Sequence, residues 1–360
     1  MSIRLPTRRV LVGLTVVVLL AGCSSSAGSS PPPATPTPAS VPSTAVTTPT
    51  VTATTTPTAT ATLIPTIGKP ADDGASIISV TTVDARTRDL AIDSPAVGAV
   101  IVRLLLPTQF DAKPSTRWPV LYLLCGSGGD HTDWTQQGDV EKLTAPTDLL
   151  VVMPDAGAEV GGGWYSDWWN GGKGGPPMWE TFHLVELRQL LERNWHAGDT
   201  RVIAGFSMGG YGAMEYAARQ PGMFLAAASF SGAVDPFGTQ AFLQQGGVVP
   251  YIWGDPVAQA DVWRAHDPTD NASALKGTAL YVAYGNGHIG PLDNGVASPF
   301  DPDGSTEREV ATESAAFVQA LTALKIPVTV DAYGNGTHTW PYWQRDLHRS
   351  LPFLLKALGE

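Results

Sequence analysis

The stretch Gly205-Phe206-Ser207-Met208-Gly209 has the pattern G-x-S-x-G. The apolar run Arg201-Val202-Ile203-Ala204 precedes it and Gly210-Tyr211-Gly212-Ala213-Met214-Glu215-Tyr216-Ala217-Ala218 follows, so the spacing predicts strand, sharp turn and helix. That context makes the pattern a candidate nucleophile elbow. A serine at the tip of such a turn sits in a strained backbone conformation, and the glycines two residues to either side leave room for the adjacent strand and helix. The helix N-terminus behind it offers N–H groups and partial positive charge to a developing oxyanion. A Gly/Ser-rich turn without chemistry would look the same in isolation, so the rest of the chain decides.

Working outward, apolar segments alternate with helical ones. Residues 77–92 and 98–107 read as an early strand pair, and 119–124, 148–155, 225–231, 279–285 and 328–333 as further strands. Residues 179–195, 308–324 and 342–358 read as helices, the first with Phe182, Val185, Leu187, Leu190 and Leu191 as its apolar face. Continuous apolar strands between helices predict an α/β fold, a mostly parallel sheet covered by helices on both faces. Neither an internal repeat nor a second folded domain is read in it.

The ends of the chain have a different character. Arg4, Arg8 and Arg9 precede a largely apolar run over residues 10–21, which leads into Leu20-Ala21-Gly22-Cys23. The run is short for a membrane span, and its form predicts a signal peptide over 1–22. The last four residues resemble the lipobox of bacterial lipoproteins, which implies lipidation at Cys23, export and a membrane anchor. Residues 23–69 are rich in Ser, Thr, Pro and Ala and read as a disordered stalk, and 70–360 as the folded domain.

The 360 residues carry a net charge of −11, and loss of the leader's three arginines makes it more negative still. That excludes a polybasic surface for nucleic acid. With Cys23 lipidated, Cys125 has no disulfide partner. The seven histidines show no metal-ligand spacing, so neither metal nor cofactor is expected.

An elbow serine needs a base and an acid, and the usual chain order on such a turn is Ser, then Asp or Glu, then His. His338 lies in a glycine-flanked loop just after the last strand and is the first candidate base, with His288 second. Asp293, Asp301, Asp303, Glu307 and Glu309 all fall where the acid belongs, and the pattern does not choose among them. The oxyanion hole needs the amide of Met208 and one from the loop Cys125-Gly126-Ser127-Gly128, with Ser127 as the donor. The aromatics Trp164, Tyr165, Trp168, Trp169, Trp340 and Trp343 flank these loops and are candidates for lining a groove for an acyl chain or sugar.

The domain resembles the esterase D and antigen 85 mycolyltransferase group of α/β-hydrolases. The likeness rests on Leu121-Tyr122-Leu123-Leu124 with Gly126, Val151-Val152-Met153-Pro154, Trp164-Tyr165-Ser166-Asp167-Trp168, Trp179-Glu180-Thr181-Phe182 with Glu186-Leu187, the elbow, and Asn335-Gly336-Thr337-His338-Thr339-Trp340-Pro341-Tyr342-Trp343. It implies an α/β-hydrolase fold and a serine esterase or acyltransferase acting on lipid or glycolipid esters at the cell envelope, with a sugar as an acceptor. It also implies Glu307 as the acid, ahead of Glu309 and Asp303, from its spacing to Phe317. Cys125 stands where that group carries an acidic residue or a histidine, which makes it a candidate substrate-binding position. Ser127-Gly128-Gly129 lacks an arginine of the mycolyltransferase loop, and both departures bear on sugar recognition. The competing reading is a non-catalytic glycolipid-binding lipoprotein on the same fold.

Overall fold

The computed structural model describes residues 67–158, 161–169, 177–245, 252–296, 298–299 and 301–359. The signal peptide over 1–22, Cys23 and nearly all of the stalk lie outside the described residues. Nine strands form one sheet: β1 (Ser76–Thr82), β2 (Thr87–Ser94), β3 (Gly98–Leu105), β4 (Trp118–Leu124), β5 (Leu150–Pro154), β6 (Ala197–Phe206), β7 (Ala226–Phe230), β8 (Ala279–Tyr284) and β9 (Val328–Ala332). Their order is β1-β2-β3-β5-β4-β6-β7-β8-β9. From β5 to β9 every pairing is parallel, while β1, β2 and β3 add on antiparallel. The expectation of a mostly parallel α/β sheet therefore holds.

Residues 77–92, read as one strand, are two. The chain reverses at Asp84, whose Oδ1 accepts the N–H groups of Arg86 (2.8 Å) and Thr87 (2.9 Å). A side chain that caps the backbone two and three residues on makes a local turn, and the strand-like composition on both sides hid it. Residues 179–195 are helical as expected, with a π-helical segment at Phe182–Leu187. Such a segment shifts the apolar face, and Val185, read as part of that face, is exposed.

Burial follows position in the sheet. β5 and β7 are buried at every residue, whereas the edge strand β9 is half-buried or exposed throughout. This is the expected difference between strands covered on both faces and a strand at the rim. The register pairs Leu124 and Ser229 with Gly205, so the carboxyl ends of β4, β6 and β7 finish together, and the Ser207 turn leaves from the middle of that row.

Beneath the row, the buried His183 joins sheet to helix. Its Nε2–H donates to the Asp155 carbonyl (2.9 Å), and Nδ1 accepts the Tyr216 hydroxyl (2.7 Å). These partners need a neutral ring, and burial pushes its pKa down to about 4. An unfolded histidine titrates near ~6.5. The stability gained by keeping His183 neutral is therefore complete above about pH 6.5 and lost as pH falls towards 4. Urea unfolding followed across this range is expected to show a loss of about 3 kcal/mol from this group, and His183→Gln should flatten that part of the profile.

Candidate active site

The elbow is built from backbone. Ser207 adopts φ 53° and ψ −124° between β6 and the helix Met208–Arg219. A non-glycine residue in that region costs on the order of 1–3 kcal/mol, so its surroundings must hold it there. The Ser207 N–H donates to the Phe230 carbonyl at 2.9 Å, and its own carbonyl accepts the Tyr211 N–H at 3.1 Å. A Cβ on Gly205 would collide with the Gly209 backbone, and one on Gly209 with the carbonyls of Leu124 and Cys125. Only glycine permits helix and strands to approach this closely. The first helical bond comes from Tyr211, so the amides of Met208, Gly209 and Gly210 precede the helical ladder at the positive end of the helix.

His338 lies directly over the serine. Its Nε2 is 2.9 Å from Ser207 Oγ and its Nδ1 is 2.7 Å from Glu307 Oε2. A carboxylate accepts, so Nδ1 carries the proton and Nε2 is left to accept the serine hydroxyl. Glu307 is fully buried, and its other oxygen accepts the Ser231 hydroxyl (2.9 Å) and the Gly285 amide (2.6 Å). Ser231, at the end of β7, also has a positive φ, 46°. The structure thus brings Ser207, His338 and Glu307 into one hydrogen-bonded run.

The remaining candidate acids lie elsewhere. Asp301 accepts the Thr306 and Glu307 amides (both 3.0 Å) and so caps the helix Ser305–Ala323 that carries Glu307. Asp303 is exposed and accepts the Ser305 amide. Glu309, two residues beyond Glu307, points to another side of that helix. Asp293 is buried against the histidine loop, where it accepts from Thr337 and from the Tyr342 hydroxyl (3.0 Å). His288 is exposed, with its amide bonded to Asn286.

A cavity of about 200 Å³ opens beside Ser207. The loop from Gly126 to Gly129, Asp133, Gln137, His338, Trp340 and Trp343 line it. Its aromatic wall is rigid: Phe206 stacks on Trp343 at 4.2 Å and meets Trp340 edge-on at 4.5 Å. Ser127 lines the cavity and donates its hydroxyl to the Gly161 carbonyl, which ties its loop to the next one. The Met208 side chain packs at Gly162 beside Ser127.

Three of the candidate binding residues are not among those lining this cavity. Trp164 is buried against Tyr211 (5.5 Å) and Trp253 (5.4 Å), and Trp168 is buried with its indole N–H on the Gly163 carbonyl (3.0 Å). Cys125 is 1% exposed and packs near the Tyr165 hydroxyl (3.6 Å) and Pro154. Trp340 alone of the four lines the cavity. These loops are rich in tryptophan because the sheet ends need covering, and composition does not separate cover from lining. Conversely, Asp133 and Gln137 were missed. Their only signal is an acid just before Trp134, which anchors the short helix Asp133–Gln137 by donating to the Leu124 carbonyl (3.1 Å).

The sequence profile of putative esterases matches residues 98–354, which span every strand from β3 onward, the elbow and the histidine loop. The chain belongs to the putative esterase family. It is 32% identical over 235 residues to Esterase Rv1288 of Mycobacterium tuberculosis, a match covering 61% of this chain and 50% of that protein. The chain thus spans about half the length of that relative. It is 31% identical over 291 residues to the diacylglycerol acyltransferase/mycolyltransferase Ag85A of Mycobacterium tuberculosis, covering 75% of this chain and 81% of the relative. Among solved structures, Mycobacterium tuberculosis MPT51 superposes with a TM-score of 0.62 at 26% identity, over 76% of this chain and 99% of that one. An S-formylglutathione hydrolase from Agrobacterium tumefaciens, at 20% identity, shares the fold with a TM-score of 0.63, over 79% of this chain and 99% of that one. The α/β-hydrolase fold and the esterase and antigen 85 kinship expected from the sequence both hold.

Burial pushes the Cys125 thiol up to about 12, so it stays protonated at neutral pH. Iodoacetamide at pH 8, followed by peptide mass mapping, is expected to leave Cys125 unmodified in the native protein and to alkylate it fully in urea.

Proposed function

We propose that this chain is a serine-dependent acyl-ester hydrolase or acyltransferase acting on lipid or glycolipid esters at the cell envelope. The hydrogen-bonded run from Ser207 through His338 to the buried Glu307, at the mouth of a cavity, is the observation that carries this reading. Ser207 attacks the ester carbonyl while His338 Nε2 takes its proton and later delivers it to the leaving alcohol. Glu307 holds His338 in the tautomer that leaves Nε2 free to accept, and offsets the charge the ring gains. The amides of Met208 and Ser127 hold the oxyanion; one such donor is typically worth about 3–4 kcal/mol. Water or a sugar hydroxyl then resolves the acyl-enzyme. Lipidation at Cys23, with residues 23–69 as a stalk, would keep the domain at the membrane on its outer side.

The intact run argues against a purely binding role, because the competing reading needs neither the serine nor its base. A fluorophosphonate is expected to label the wild-type protein and not Ser207→Ala; an unlabelled, folded wild type would refute the proposal. Glu307→Gln should lower kcat on a p-nitrophenyl ester by about 10³- to 10⁴-fold, whereas Asp303→Asn and Glu309→Gln should stay within about threefold, since surface substitutions away from the site do little. Mass analysis of products formed with and without trehalose separates the two outcomes of the acyl-enzyme. Free acid alone means hydrolysis, and acyl-sugar means transfer.

A further inference from the structure

The serine cavity has a lopsided charge. Apart from His338, its lining among the described residues holds one ionisable side chain, the carboxylate of Asp133, and no lysine or arginine. Asp133 starts the short helix after the glycine loop, and its carboxylate lies directly over Gly129. A Cβ at Gly129 would fall on that carboxylate, so the glycine makes room for the acid at the cavity wall.

Among the described residues, the basic side chains of this region pair with other acids. His131 is 2.8 Å from Asp155 and 4.0 Å from Asp89. Arg103 makes a two-pronged pair with Asp89 at 2.7 and 2.8 Å and gives a further hydrogen bond to Thr135. Asp130, from the same loop, and Asp155, at the end of β5, add negative charge nearby. His338 lines the same cavity, and Gln137, one helical turn on from Asp133, is neutral. Burial, then repulsion from Asp130 and Asp155, lifts the Asp133 carboxyl to about 6 despite the Asp130 amide and His131.

We infer that Asp133 sets the charge selectivity of the ester site: it disfavours substrates carrying an anion beside the scissile ester and admits neutral or cationic ones. The inference rests on the serine-ester reading and adds the substrate class. A fixed charge in a half-enclosed cavity acts on a second charge more strongly than the same pair would in bulk water. The effect belongs to the ionised acid, so it is complete above about pH 7 and fades as pH falls through about 6.

The test uses matched p-nitrophenyl-type ester pairs, one member ending in a sulfonate and the other in a neutral methyl sulfone. The group is placed on the acyl chain in one pair and on the alcohol in the other. A sulfonate stays charged throughout, and any loss of general-base capacity at low pH cancels in the ratio of kcat/KM within a pair. In at least one pair the wild type should favour the neutral member by about tenfold at pH 8, the scale of one charge–charge contact, and lose most of that preference at pH 5. Asp133→Asn should bring the ratio at pH 8 close to one and remove its pH dependence. Gln137→Glu, which adds a second acid to the same wall, should increase the preference and serves if Asp133→Asn does not fold. Turnover of the neutral esters with ratios that neither variant moves would overturn the inference while leaving the esterase reading intact. No turnover of any ester would count against both.

Discussion

Everything at this site depends on one unfavourable piece of backbone. Ser207 is held at a positive φ because the strand before it and the helix after it leave no alternative. Gly205 and Gly209 let β6, the helix Met208–Arg219 and the end of β4 close to backbone contact. Hydrogen bonds to Phe230 and from Tyr211 then fix the turn from either side. The strain is thus offset by packing of the whole central sheet, whose strands are buried on both faces. The backbone thus sets where the Ser207 Cβ points, and the hydrogen bond to His338 Nε2 holds its hydroxyl.

Around that point, polar and apolar groups divide the work by side. Glu307, Ser231 and Gly285 satisfy one another behind His338, in a fully buried pocket where an unpaired carboxylate would be costly. In front, Phe206, Trp340 and Trp343 form a wall of interlocked rings. The histidine lies between a polar brace and an aromatic wall, and its edge-on contact with Trp343 at 5.0 Å limits ring rotation. Asp133 breaks the pattern, as an acid in front of the serine rather than behind the histidine.

The sequence carried the parts of this that depend on local pattern. G-x-S-x-G between an apolar strand and a helix names Ser207, and a glycine-flanked histidine after the last strand names His338, because backbone geometry at both places demands particular residues. The acid was different. Asp293, Asp301, Asp303, Glu307 and Glu309 are alike in local pattern; the family resemblance put Glu307 first through its spacing to Phe317, and the contacts that bring Glu307 to His338 join residues far apart in the chain. The split of residues 77–92 was missed because an Asp turn lies inside strand-like composition. Trp164 and Trp168 were read as lining because a tryptophan that covers a sheet end and one that walls a cavity occur in the same loops.

The brace behind His338 has a consequence for how such a chain can change. Ser207 follows β6, Ser231 follows β7 and Gly285 follows β8, so three adjacent strand ends, in sheet order, converge on the histidine and its acid. Among the described residues, 232–245 and 252–278, between the second and third of these points, supply none of Ser207, His338, Glu307 or the lining of the serine cavity. This excursion packs on the helix after the elbow through Trp253 and His266, both against Tyr211. The sheet therefore acts as a fixed jig for the chemistry, and exposed positions of this excursion such as Val257 and Ala258 are where the chain can vary without resetting it.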